Sequence, residues 1–345
     1  MTKLAHKVLL DHRLLSLVVA ILLCTWVIEL AGSSLLPVAQ SFWMGAFGTP
    51  AQVGRVFATW MPLVLCSCGL VYTFTTGLYN LGIEGQITAG AVASMMVLRA
   101  LDGILPAPMV IGLALGGGLA GGGLWGGLAG GLYIYGRISE IFAGLGLNFV
   151  MQGLVLYLIF GPWGRPGVAS MSGTEMLDRS LWLPMVNQIS PISVILALGI
   201  LIVTGWLIRQ TLFGLQLQAV GKNLQAARIL GIPATARLMA SFGLCGGIAG
   251  LAGSLQVLAV FHRLIPSISS NLGFLALLVV MLVRFNPLWI LPVAFFFSAL
   301  NVGSLQLPLS LQLESSLAGV IQGALVLCVL LGQGWQQAQH QARSS

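Results

Sequence analysis

Glu84 is the first residue in this chain whose surroundings ask for chemistry. It stands in Asn80-Leu81-Gly82-Ile83-Glu84-Gly85-Gln86, at the head of an apolar run. An acidic side chain at bilayer depth costs roughly 2.5–3.5 kcal/mol on insertion scales, so Glu84 must find hydrogen-bond donors or a wet cavity. Two roles fit. With Asn80 as a cap, Glu84 in a first helical turn meets the positive end of the helix dipole. Glycine-interrupted helices also expose polar groups to a solute at the membrane midplane, which makes Asn80, Glu84 and Gln86 candidate pathway residues, with Asn148 and Asn271 beside them. The tripeptide Asn-Leu-Gly recurs at Asn271-Leu272-Gly273, as it would in an inverted repeat.

The second polar stretch is Gln218 to Gly231. Its residue types suit recognition by a partner rather than catalysis. Asn223 is placed to cap a helix over 224–230, Gly231 to take the left-handed position after it, and Pro233 to stop its continuation. Two turns are marginal alone in water, so this helix needs packing on neighbouring spans or on a partner. A docking element and a capped turn between spans both fit these residues.

The elements that carry these stretches follow from composition. Hydrophobic residues make up 57% of the 345 and charged residues 7%, against roughly 25% charged in soluble domains. The chain is therefore an all-α polytopic membrane protein, since the alternating strands of a membrane barrel are absent. Apolar runs near 14–36, 56–75, 81–98, 108–133, 138–160, 191–208, 236–260, 271–283, 288–305 and 315–331 predict about ten transmembrane helices, some short or broken. The transmembrane body is expected over 14–335. A cytosolic segment at 1–13, an extracytoplasmic loop at 161–190, a cytosolic loop at 209–235 and a cytosolic tail at 336–345 complete it. Met1 to Arg13 is basic but precedes an apolar run too long for a signal-peptide core, so it is expected to be retained.

Charge orients the chain. With both termini inside, Lys3, Lys7, Arg13, Arg137, Arg209, Lys222, Arg228, Arg237, Arg284 and Arg343 lie on the cytosolic side, and Arg55, Arg99, Arg165, Arg179 and Arg263 on the other. That excess obeys the positive-inside rule. The net charge of +7 reports topology and anionic lipid, and no aromatic-interleaved basic stripe suggests nucleic acid. Trp163 and Trp182 in the 161–190 loop suit headgroup depth, either as part of an interfacial helix or as a contact for an extracytoplasmic partner.

The ten glycines of residues 116–131 are not a phosphate cradle, because no Lys and Ser or Thr follow the last glycine. Gly118, Gly122, Gly126 and Gly130 at four-residue spacing instead let membrane helices approach closely, and Gly243, Gly246, Gly247, Gly250 and Gly253 form a second such face. The five cysteines sit in apolar runs without a C-x-x-C pair, which suggests neither disulfides nor zinc. Glu29 and His262 have no partner that sequence can name. No nucleophile elbow, metalloprotease motif or nucleotide loop appears, so catalytic residues, metals and cofactors are not expected.

These residues together resemble the ribose, branched-chain amino acid and nucleoside permease family of bacterial ABC importers, closest to the nucleoside type. Tyr79 to Gln86 resembles that family's Asn-x-Gly-x-Glu-Gly-Gln segment. Ile138 to Asn148 with Tyr157 to Pro162, Gly246 to Leu258, and Arg284 to Pro287 follow in the family's order. Gly221, Asn223, Ala226, Ala227, Arg228 and Gly231 match its cytosolic coupling segment. The resemblance implies a permease in the bacterial inner membrane, paired with an identical or related second permease, two cytosolic ATPase subunits and an extracytoplasmic binding protein. ATP would be hydrolysed by those partners. A nucleoside or similar small polar heterocycle is the implied cargo, with a simple sugar or branched-chain amino acid as the alternative. A membrane-embedded enzyme or a channel remains a more distant one. Gln225 and the aspartate-free stretch after Asn271 depart from the nucleoside-type pattern.

Overall fold

A computed structural model describes residues 22–164, 173–186, 188–283, 286–324, 326–328 and 331. The segments expected at 1–13 and 336–345, the start of the first predicted span, Arg165 and Arg284 lie outside these residues. Those described are almost wholly helical, and their β-structure is an isolated bridge between Val186 and Ile189. The all-α polytopic architecture read from composition holds.

Among the described residues each of the ten apolar runs contains helix, but they are not ten full-length rods. Among the described residues six helices are long and apolar enough to cross a membrane, or seven if a bent pair counts as one span. That pair is α1 (Leu22–Leu30) and α2 (Leu35–Phe47), which meet at 94°. The sequence placed one span near 14–36 and the next near 56–75. The bend forms because Gly32 takes a left-handed backbone (φ 84°), and the chain restarts as a helix at Leu35. The long helices are α3 (Pro50–Thr75), α5 (Ala107–Ile134), α6 (Glu140–Phe160), α7 (Pro191–Gln210), α10 (Ala234–Leu255, continued by a π-helical turn to Phe261) and α12 (Pro287–Gly303, extended through α13, Leu307–Leu311). Helix α4 (Ile83–Leu101) has the length but carries Glu84, Gln86 and Arg99. Helix α11 (Leu272–Leu282) has 11 residues, about 17 Å at 1.5 Å per residue, too short for a roughly 30 Å core. Between α7 and α10 lie α8 (Leu212–Lys222) and α9 (Leu224–Ile229).

The chain divides into two compact units, residues 57–294 and residues 1–56 with 295–345. In the second, Ile28, Val38, Leu307 and Leu317 form a core, and Gly45 and Gly303 lie so close that a Cβ on either would strike the other's helix backbone.

The centre of residues 57–294 is a junction of α4, α5 and α10. Gly118, Gly122 and Gly126 of the first glycine face expected from sequence meet Gly246 and Gly250 of the second, while Gly253 faces Ile87 and Ala91 of α4. A Cβ on Gly122 would fall on Gly246 and Gly250, one on Gly126 on Phe242 and Gly246, and one on Gly90 of α4 on Gly250. Backbone thus meets backbone without side chains between, which small-residue spacing exists to permit. Cys66, Cys68, Cys245 and Cys328 are buried and Cys24 half-buried, all as free thiols. They serve as small core residues.

The loop of 161–190 contains, among the described residues, a 3-10 turn at Arg179–Leu181 and no longer helix. It runs along the chain that leaves α10, with N–H bonds from Thr174 to the Leu264 carbonyl, Leu177 to His262 and Leu183 to Leu258 at 2.8–3.1 Å. Those backbone bonds replace the ones an interfacial helix would have made internally. His262, in left-handed conformation, stacks on Trp182 with ring centroids 3.8 Å apart.

Candidate functional site

A helix leaves its first N–H groups without internal partners, and burying them requires an acceptor from elsewhere. In this chain the acceptors come from neighbouring helices. Helix α4 begins in a protein interior, with Asn80, Glu84 and Gln86 all buried. Gly82 ends the lead-in and has no side chain to cap with. Asn80 Oδ1 accepts from the Gly82 N–H at 3.1 Å, while its Nδ2 donates to Gln86 Oε1 at 3.0 Å and to Cys245 Sγ at 3.1 Å. Gln86 Nε2 returns a bond to Asn80 Oδ1 at 3.2 Å. Two fully buried amides therefore satisfy each other across the first turn.

The next free donor, the Gly85 N–H, is taken by Asn148 of α6. Its Oδ1 accepts at 2.8 Å, and its Nδ2 donates to the Leu81 carbonyl at 2.8 Å. One side chain thereby clamps both strands of the turn entering α4. Asn148 reaches that far in because Gly144, one turn earlier on the same face of α6, packs directly on Gly82; a Cβ on Gly144 would strike the Gly82 amide.

Glu84 passes the pattern on. Its Oε1 accepts from the Phe274 N–H of α11 at 3.1 Å, and the Gly273 N–H and Ser269 hydroxyl also bond its carboxylate. Phe274 lies in the first turn of α11, so Glu84 acts as that helix's cap. Asn271, the residue sequence suggested as an opener, is left-handed (φ 58°), exposed, and makes no capping bond. The chain of caps therefore runs from α6 to α4 to α11. Asn80, Glu84, Gln86 and Asn148 come together in one knot; Asn271 sits at its exposed edge.

The polar stretch 218–231 is more ordered than expected. Residues 212–222, read as loop, form α8, because Thr211 caps it by accepting from the Gly214 N–H at 3.2 Å while Gly214, Leu217 and Val220 turn inward. Asn223 then caps α9, accepting from the Ala226 N–H at 3.0 Å. Gly231 takes φ 77° and its N–H bonds the Arg228 carbonyl at 3.0 Å, the left-handed exit read from sequence.

Ala227 is the buried residue of α9 and joins a cluster with Leu78, Val220, Leu238 and Phe242. Gly221 is pressed against the end of α3, where a Cβ would strike the Thr75 carbonyl. Ala226 and Arg228 face outward, and Ile229 and Leu230 are 86% and 77% exposed. The six residues singled out from sequence thus divide. Gly221, Asn223, Ala227 and Gly231 build the knob, and Ala226 and Arg228 lie on its outer face.

Sequence reasoning missed Leu78, Gly144, Cys245 and Ser269. Only the Gly144–Asn148 spacing of one helical turn carried a signal.

Residues 52–330 match the branched-chain amino acid transport system / permease component family. A guanosine ABC transporter permease protein of Bacillus subtilis is 27% identical over 329 residues, covering 93% of each chain. A nucleoside ABC transporter permease protein of Lactococcus lactis is 25% identical, covering 77% of this chain and 75% of that protein. A glucose ABC transporter permease protein of Haloferax volcanii is also 25% identical, covering 79% and 74%.

Proposed function

The chain belongs to the branched-chain amino acid transport system permease component family, and from that premise we propose that it forms the membrane pathway of an ATP-driven importer for a nucleoside. It is a multi-pass membrane permease, and ATP hydrolysis in such systems lies on separate subunits. The cargo assignment draws on its similarity to guanosine and nucleoside permeases along most of its length. A simple sugar is the second candidate, favoured by the likeness to a glucose permease.

The observation that carries the mechanism is the two-sided knob. Its inner side is anchored by Ala227, and its outer side presents Arg228 with two large apolar side chains, Ile229 and Leu230. Exposed apolar groups on a rigid, capped element are what a docking surface requires. In the proposed assembly two such permeases, identical or related, sit on two cytosolic ATPases, with both termini and the knob in the cytosol of a bacterial inner membrane. An extracytoplasmic protein delivers the solute. ATP-driven closure moves the knob and the spans fixed to it, giving alternating access. The pathway passes the α4–α11 junction, with Glu84 and Asn271 nearest the solute and Asn80, Gln86 and Asn148 setting their positions.

The test is uptake of labelled guanosine and glucose by cells expressing the chain with its transport partners, together with recovery of an ATPase on the tagged chain. Arg228→Glu is expected to abolish uptake and leave folding intact. Uptake unaffected by that change overturns the docking role, and glucose uptake without guanosine uptake transfers the cargo to the sugar alternative.

A further inference from the structure

We infer that the seven residues from Thr76 to Gly82 are the strap that carries movement of the cytosolic knob to the Glu84 knot, with Leu78 and Gly221 as its positioning residues. The inference rests on the knob docking an ATPase.

At its first end the strap is fixed to the knob twice. Helix α3 closes with the Leu78 N–H bonded to the Thr73 carbonyl at 3.1 Å and Gly77 left-handed at φ 78°. Gly221 of α8 lies directly on that closure, against the Thr75 carbonyl, and a Cβ on Gly77 would come within 3.3 Å of the Gly221 carbonyl oxygen. Leu78 then enters the apolar cluster that holds Ala227 of α9 and Val220 of α8. At its far end, two residues later, Asn80 is bound reciprocally to Gln86 and caps Gly82, and Glu84 holds the first turn of α11. Between the ends, the Leu81 N–H bonds the Tyr79 carbonyl at 3.2 Å and Tyr79 stacks edge-on against Phe74.

A segment this short, bonded internally and buried at both ends, has no slack to absorb a shift. Packed interfaces respond to small displacements by moving as bodies rather than deforming. Movement of α8 and α9 therefore displaces α4 and α11 together, since Glu84 joins their first turns.

The experiment uses the assembled importer, reconstituted with its ATPase and binding protein, and measures ATP hydrolysed against labelled guanosine delivered. Leu78→Ala is expected to retain the ATPase at the wild-type ratio and to hydrolyse ATP, but to deliver at least tenfold less solute per ATP. Leu78→Ile, which keeps the contact, restores delivery. Solute delivered per ATP equal to wild type in Leu78→Ala overturns the strap. Tyr79→Cys, whose side chain is exposed at the strap's middle, carries an environment-sensitive fluorophore in an otherwise wild-type complex. Its emission is expected to shift when a non-hydrolysable ATP analogue binds. An unchanged signal in a complex that hydrolyses ATP also overturns the strap, whatever the stability of the other variants. Failure of the wild-type chain to recover any ATPase instead removes the docking function itself, and is read before any variant is made.

Discussion

Gly250→Ala adds one methyl group where the structure has no room for it. Gly250 of α10 faces Gly118 and Gly122 of α5, and a Cβ there would stand 2.9 Å from the Gly122 Cα, 3.0 Å from the Gly118 carbonyl carbon and nearer still to its oxygen. Carbon pairs rest at about 3.5–4.0 Å, so the two helices must part by roughly 0.5–1 Å. Contacts along the seam then lose about a quarter to a half of their dispersion attraction. All three obstructing atoms are backbone, so no rotamer change relieves them. Overpacking of this kind costs about 1–3 kcal/mol, and replacing a helical Gly by Ala returns up to about 1 kcal/mol. The expected net loss is up to about 2 kcal/mol. Gly127, on the same α5 but with nothing within 4 Å of its Cβ position, supplies the control: Gly127→Ala is expected to be neutral or to stabilise by up to about 1 kcal/mol. Denaturant unfolding of the detergent-purified chain, followed by tryptophan fluorescence, measures both. A Gly250→Ala protein as stable as Gly127→Ala refutes the backbone-on-backbone junction.

Three further outcomes are expected. Asn148→Ala leaves the Gly85 N–H and Leu81 C=O without partners, at about 1–3 kcal/mol for each group; the same unfolding assay should place Asn148→Asp, which keeps the acceptor, between Ala and wild type. Asn223→Ala removes the α9 cap, worth about 1 kcal/mol locally, so amide hydrogen exchange should quicken over 224–229 with global stability little changed. Burial pushes the His262 imidazole below its ordinary 6.5, so the unfolded chain binds the proton more readily than the folded one. The stabilisation from its neutral form is present above pH 6.5 and is lost as pH falls below it. Melting temperatures from pH 7.5 to 5 should therefore decline more steeply for wild type than for His262→Gln, and parallel curves would remove the effect.

Several parts of this molecule were legible because they depend on local rules. Composition fixed the class, since a chain with 7% charged residues has no polar surface to offer water. The cap at Asn223 and the left-handed Gly231 were readable because both satisfy backbone groups within a few residues of themselves. Helix α8 was missed because its cap, Thr211, belongs to the end of an apolar run, and its inward face has only three residues. The bend after α1 was hidden because hydropathy averages over a glycine that turns the chain.

Partnership across the chain was beyond the sequence. Two glycine faces are visible as spacing, yet nothing in spacing says that they meet each other, with Gly90 of a third helix between them. The repeated Asn-Leu-Gly suggested that Asn271 opens its helix as Asn80 does. The fold instead gives α11 an acceptor from Glu84, 190 positions away in the chain. A buried N–H needs an acceptor at about 3 Å and is indifferent to where in the chain that acceptor originates. Residue type and local order therefore determined that these helices would form and where one of them would be capped. Which side chain caps which helix, and so which elements move together, was decided only when α4, α6 and α11 were brought within hydrogen-bonding distance.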